Sequence, residues 1–147
     1  MKPRVFALVF AVTGSGLFSG CVTNPALAVF DTSSQMQLRS HQTRAFDTGD
    51  PEKILRTVIA TLQDFGFVID KADARLGSIS ATKLAGYEMR LTVTVRTRNA
   101  TQQLVRASAQ FKPYSSADAR PVEDATPYRE FFSALEKSMF LAAHDVD

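Results

Sequence analysis

Apolar and polar positions alternate with a period of two over two adjacent stretches of this chain, and the two stretches fit one another. From Tyr87 to Arg98, Tyr87, Met89, Leu91, Val93 and Val95 share one face, while Glu88, Arg90, Thr92, Thr94, Arg96 and Arg98 share the other. After Asn99-Ala100-Thr101 the alternation resumes from Gln102 to Lys112, with Val105, Ala107, Ala109 and Phe111 apolar. Both read as strands of one antiparallel hairpin. Opposed residues in such a pair point to the same side, and a three-residue connection sets Arg98 against Gln102. Val95 then meets Val105, Val93 meets Ala107, Leu91 meets Ala109 and Met89 meets Phe111. The same register sets Glu88 against Lys112 as a cross-strand ion pair.

Elsewhere the period changes to that of a helix. Asp50-Pro51-Glu52 supplies a cap, a first-turn proline and a first-turn acid. Ile54, Leu55, Val58, Ile59, Leu62 and Phe65 follow as one stripe, with Lys53, Arg56, Thr57 and Gln63 largely off it. Gly66 stands where a left-handed residue ends the helix. Thr126-Pro127 repeats the cap-plus-proline device, and Tyr128, Phe131, Phe132, Leu135, Met139 and Ala142 give a second apolar face to about His144. Phe67–Lys71 and Ser78–Lys83 read as short strands around the turn Asp73–Gly77, and Met36–Phe46 alternates loosely as a first strand. Pro113–Ala125 reads as a loop. The fold class is α+β: one antiparallel sheet of about five strands in the order β-α-β-β-β-β-α, with two helices on one face. Ala107 and Ala109 suit close approach of a helix.

The N-terminus has a different logic. Lys2 and Arg4 precede an apolar run, Val5 to Phe18, that ends in Ser19-Gly20-Cys21. Charge, apolar stretch and small residues in that order make a secretory signal, too short to span a bilayer comfortably. Its end matches a bacterial lipobox, in which the cysteine accepts a diacylglyceryl group before cleavage. Cys21 is the only cysteine. The expected organisation is a signal peptide over residues 1–20, a lipidated tether over 21–34 and a single domain over 35–147. Two or three acyl chains hold a protein to a membrane where one binds reversibly. Val22, where aspartate would favour the inner membrane, points to the periplasmic face of the outer membrane.

Loss of Lys2 and Arg4 with the signal turns 17 basic against 15 acidic residues into equal numbers. Global charge therefore gives no case for nucleic-acid binding. Catalytic and metal chemistry also lack their residues. His41 and His144 are the only histidines, no paired His or Cys spacing exists for a metal, and no glycine cluster forms a phosphate loop. No catalytic residue, cofactor or metal ligand is assigned. Two features stand out. Arg90, Arg96, Arg98, Arg106 and Lys112 make a basic stripe on the outward face of the hairpin, suited to anionic lipid headgroups or an acidic partner. Phe65, Phe67, Met89, Phe111, Phe131 and Phe132 are placed to line an apolar cavity between sheet and helix, which would suit a carrier or sensor of a lipid or other apolar ligand.

The run Asp64-Phe65-Gly66-Phe67-Val68-Ile69 leading into Leu76-Gly77-Ser78-Ile79-Ser80-Ala81, behind a lipobox and polar tether, resembles the helix-grip modules of bacterial accessory lipoproteins. The resemblance is strongest to the NlpB-type lipoprotein of the outer-membrane β-barrel assembly machinery, and it covers roughly Thr48 to Ala142. That family carries two such modules behind a long unstructured segment, where this chain has one and a short tether. The resemblance implies a helix-grip-like fold and a non-catalytic, membrane-tethered adaptor that binds an envelope protein in β-barrel assembly, export or efflux. It carries over no functional residue.

Overall fold

The computed structural model describes residues 34–141. The signal, Cys21 and the tether up to residue 33, together with Ala142 and His144, lie outside the described residues. A helix α1 (residues 34–41) comes first, followed by β1 (Thr43–Phe46), α2 (Pro51–Asp64), β2 (Val68–Asp73), β3 (Ser78–Leu84), β4 (Tyr87–Asn99), β5 (Gln102–Pro113), β6 (Arg120–Pro121) and α3 (Thr126–Leu141). The architecture is α+β, with one open antiparallel sheet ordered β1-β5-β4-β3-β2 and β6 paired to β5 beyond β1.

The central hairpin has the register its alternation predicts. Val95 pairs with Val105, Val93 with Ala107, Leu91 with Ala109, Met89 with Phe111 and Glu88 with Lys112. At the tip a bulge between Thr97 and Asn99 brings Asn99, rather than Arg98, opposite Gln102. The Glu88 carboxylate meets Arg90 on its own strand at 3.5 Å, so the expected pair with Lys112 is replaced by a neighbour two residues away on the same face.

Two expectations in the flanking segments are corrected. Met36–Phe46 is not one strand: residues 34–41 are helical and only Thr43–Phe46 extends. The run Gln35-Met36-Gln37-Leu38-Arg39 holds straight-chain helix formers and no β-branched residue, so propensity outweighs a loose alternation. Pro113–Ala125 is not all loop, since Arg120 and Pro121 pair with Phe111 and Gln110. A proline is tolerated there because β6 is an edge.

α2 begins as predicted, with the Asp50 carboxylate accepting the Lys53 amide at 2.9 Å. It ends at Gly66, whose φ of +78° is the left-handed conformation, with the Gly66 and Phe67 amides bonded back to Gln63 and Leu62. Ile54, Val58 and Leu62 are fully buried. Thr61 is too, and Thr57 is largely buried, against the expectation that Thr57 lies off the stripe; their hydroxyls donate to the carbonyls of Lys53 and Thr57. Hydroxyls satisfied in this way cost little to bury. At α3 the capping acceptor is Asp124 rather than Thr126. Its carboxylate accepts the Thr126 amide at 2.9 Å, and the hydrogen bonds from the Thr126 backbone and side chain hold its pKa below the ordinary value.

The core lies on one side of the sheet. Ile79, Ala81, Leu91, Val93, Val95, Val105, Ala107 and Ala109 meet α2 and α3 there, with Phe131, Phe132 and Leu135 between. One polar contact ties α3 to the backbone of β5. Tyr128, 1% exposed, accepts the Ala109 amide at 3.1 Å and the Gln42 side-chain amide at 3.2 Å, and donates to the Val122 carbonyl at 2.9 Å. Gly77 closes the β2–β3 turn at φ +60°, where a Cβ would sit 2.4 Å from the Val95 carbonyl oxygen.

Three outcomes are expected. Tyr128→Phe strands buried donors on Ala109 and Gln42, and urea unfolding should show a loss of about 2–4 kcal/mol. Gly77→Ala must adopt a left-handed backbone against Val95, and the same measurement should lose about 2 kcal/mol or more. Because the Asp124 pKa is lowered on folding, its contribution is complete above the ordinary aspartate pKa and disappears as pH falls through the lowered folded value. The protection factor of the Thr126 amide, its exchange rate relative to an unstructured chain at the same pH, should therefore fall on acidification in the native chain and stay level in Asp124→Asn.

Candidate functional site

Since the helices that build the core take one side of the sheet, the other side is free of helices among the described residues, and strand alternation decides what it shows. Ser78, Ser80 and Thr82 of β3 stand beside Thr94, Thr92 and Arg90 of β4, which stand beside Arg106, Ser108 and Gln110 of β5. The middle of this face is therefore short hydroxyl side chains. Longer basic side chains rise around them.

Four of the five predicted basic residues come together on this face: Arg90, Arg96, Arg106 and Lys112. Arg98 sits in the bulge at the hairpin tip, outside the regular register, so its assignment to the stripe is corrected. The four differ in their surroundings. Arg90 is engaged by Glu88. Lys112 is half-buried opposite Glu88. Arg96 and Arg106 are exposed diagonal neighbours, with Arg106 opposite Thr94 and Arg96 opposite Leu104. Among the described residues neither has a carboxylate within ion-pair distance. Arg44 belongs to the opposite side. It lies on the core face of β1, 2.6 Å from Glu136 and 5.7 Å over the ring of Phe132, where it joins β1 to α3.

The six residues expected to line an apolar cavity divide. Phe65, Phe67, Met89 and Phe131 line a cavity of about 190 Å³ where the end of α2 meets the start of α3, together with Leu62, Tyr87, Leu91 and Pro127. Lys83 and Glu130 also border it. The Lys83 ammonium donates to the Phe65 carbonyl at 2.8 Å and lies 5.9 Å over the Phe67 ring. Phe111 and Phe132 do not join the lining. Phe111 packs against Tyr87 at 5.2 Å between ring centres, so Tyr87 takes the place nearer the cavity. Phe132, one helical step from Phe131, turns into the filled centre and is fully buried, edge-on to Phe131 at 5.2 Å.

A second groove, of about 290 Å³, runs between α2 and the open edge of the sheet, lined by Leu55, Ile59, Ala72 and Ile79 with Glu52, Arg56 and Asp73 at its sides. The pattern along the chain held no sign of it, because it depends on how far α2 stands from β2. His41 lines a further hollow of about 370 Å³ with Leu38 and Glu123. Among the described residues no three His, Cys, Asp or Glu side chains gather as a metal-ligand set, and no helix is long and apolar enough to cross a membrane.

Neither a protein-family model nor a curated protein matches the chain. Among solved structures it is similar to the adenylate sensor from AMP-activated protein kinase in complex with 5-aminoimidazole-4-carboxamide 1-beta-D-ribofuranotide. The likeness has 12% sequence identity and a TM-score of 0.45, over 66% of this chain and 94% of that one. It carries no argument about fold or ligand for this chain.

Proposed function

We propose that the chain is a non-catalytic, lipid-anchored adaptor on the periplasmic side of the bacterial outer membrane, and that the helix-free face of its sheet meets an acidic surface on an envelope protein. The observation that carries this reading is the pair Arg96 and Arg106, exposed side by side and joined to no carboxylate among the described residues. A guanidinium offers a planar fork of donors that fits a carboxylate in two places at once. The hydroxyl floor of Ser80, Thr92 and Ser108 is short, so an opposing surface can come close to the sheet without displacing bulk. The lipobox ending in Cys21 supports the anchor, and the helix-grip resemblance supports a role in β-barrel assembly, export or efflux.

The rival reading, a carrier of a lipid or apolar ligand, has a specific observation on its side in the cavity beside Phe65, Phe67, Met89 and Phe131. Its volume of about 190 Å³ is below the ~300–1,000 Å³ of ordinary ligand pockets, and Phe132, Leu62 and Leu135 fill the interior behind it. The adaptor reading is the better supported.

Affinity purification of the acylated chain from membranes should recover one envelope protein in near-stoichiometric amount, less of it as salt is raised. The double variant Arg96→Glu, Arg106→Glu should recover about tenfold less. Recovery of bulk lipoproteins alone, or a partner indifferent to the double variant, would sink the adaptor reading. Mass analysis finding Cys21 unmodified would remove the anchor, and native mass spectrometry finding a bound lipid would favour the carrier.

A further inference from the structure

The two edges of the sheet are built differently, one from two short strands, β1 and β6, that both pair with β5, and the other from the single longer β2. β5 is covered along its outer side by β1, by the Gln42 carbonyl, by the Tyr128 hydroxyl and by β6. β2, at the other end, pairs only with β3 among the described residues. An uncovered edge is a template for another strand, and proteins guard such edges with charges and bulges. β2 has both. Ile69 pairs with Ala81 and Lys71 with Ser80, so Asp70 is an extra residue, and Asp70, Lys71 and Asp73 are charged.

The arrangement of these guards is symmetric. Val68, Lys71 and Asp73 lie on the helix-free side, opposite Thr82, Ser80 and Ser78. Asp70 lies on that side too, since its carboxylate accepts the Thr82 hydroxyl at 2.7 Å. Ile69 and Ala72 face the helices, opposite the buried Ala81 and Ile79. Read in either direction, the strand shows out, in, a pair of outward charges, in, out. A regular strand of even length cannot do this, because its two ends point to opposite faces.

We infer that β2 pairs antiparallel with β2 of a second copy, about a two-fold axis that passes between Asp70 and Lys71. In that register Asp70 faces Lys71 of the second copy, and Lys71 faces its Asp70. Val68 stands against Asp73 on the outward side, and Ile69 against Ala72 on the inward side. Each opposed pair shares a face. The two bulges lie side by side, so neither strand has a residue left over. Ile69 of the second copy stands at the small Ala72, beside the apolar groove that Ala72, Leu55 and Ile59 line. Val68, 71% exposed, finds cover on the outward side. A strand that sets an acid against Asp70 or a base against Lys71 is repelled, so the guards discriminate against such edges while accepting a copy of this one. One six-residue strand pair is smaller than a standard interface, which makes the dimer a weak, micromolar one. This inference does not depend on the adaptor reading or on the basic face.

Sedimentation velocity of the full chain in mild detergent, under reducing conditions and over a wide concentration range, tests it. The native chain should pass from monomer to dimer. Lys71→Asp sets aspartates against aspartates and Asp70→Lys sets lysines against lysines, so each should remain monomeric with an unchanged circular dichroism spectrum. The double exchange Asp70→Lys, Lys71→Asp should dimerise again. Lys71→Asp leaves the Asp70–Thr82 bond in place, and so still decides the matter if Asp70→Lys unfolds. Amide exchange over residues 68–73 should slow with concentration in the native chain and not in Lys71→Asp. A monomer at every concentration, a dimer that tolerates Lys71→Asp, or a folded double exchange that stays monomeric would each overturn the pairing.

Discussion

The Tyr128 phenol stands in the gap between two short edge strands of this sheet, and the placement of α3 against the core side is tied to it. β1 pairs with β5 from Gln103 to Arg106, and β6 pairs at Gln110 and Phe111. Between them the β5 backbone has no strand beside it among the described residues. The Ala107 amide donates to the Gln42 carbonyl, the Ala109 amide to the Tyr128 hydroxyl, and the Ala109 carbonyl accepts the Val122 amide. Tyr128 belongs to α3, so the contact that satisfies a sheet edge also fixes where the helix lies. A buried amide without a partner is expensive, which makes this position of α3 hard to give up. Ala107 and Ala109 make the approach possible, because larger side chains there would hold the helix away from the backbone.

Once α3 is fixed, the remaining asymmetries follow from alternation. The buried apolar residues of β3, β4 and β5 point toward α2 and α3, and the intervening positions carry mainly hydroxyls and cations, with Leu84 and Leu104 among them, on a face that no helix among the described residues covers. A solvated face is ordinary for an antiparallel sheet. What sets this one apart is its composition. Short hydroxyls occupy the centre and arginines the margin, with the acidic side chains placed mainly toward β2, where Asp70 is taken up by Thr82. The basic face and the charged edge are thus separate surfaces with β3 between them, one predominantly basic and the other mixed in sign.

Much of this was legible along the chain because the informative contacts are local. The hairpin register needs only the loop length and the period of two, and it holds from Glu88–Lys112 to Val95–Val105. α2 is announced by Asp50-Pro51-Glu52 and ended by Gly66, all within one helix. Errors collect where a distant element decides. Residues 34–41 look like a weak strand until their straight-chain composition is weighed, and β6 exists only because β5 has an edge to receive it. Phe111 and Phe132 share the chemistry of the cavity-lining residues, but one strand of displacement and one helical step take them elsewhere. The groove beside β2 left no mark on the sequence, since a gap between two elements belongs to neither. Tyr128 reads as one more apolar stripe position; its hydroxyl matters because of Ala109, on another element.

The arginines show how little residue type alone says about role. Arg44, Arg90, Arg96 and Arg106 all lie on strands and are equivalent in a count of charge. Arg44 has Glu136 at 2.6 Å and the Phe132 ring beneath it, so its charge is taken up in joining β1 to α3. Arg90 shares its charge with Glu88. Arg106 stands opposite Thr94 and Arg96 opposite Leu104, neighbours that neither neutralise nor cover them. A charge already matched inside the fold gains little from a new carboxylate, because the old contact must be broken to make the new one. Arg96 and Arg106 bear no such cost and lose only water. That difference in surroundings makes these two, of the five basic residues the alternation picked out, the ones on which recognition of an acidic surface rests.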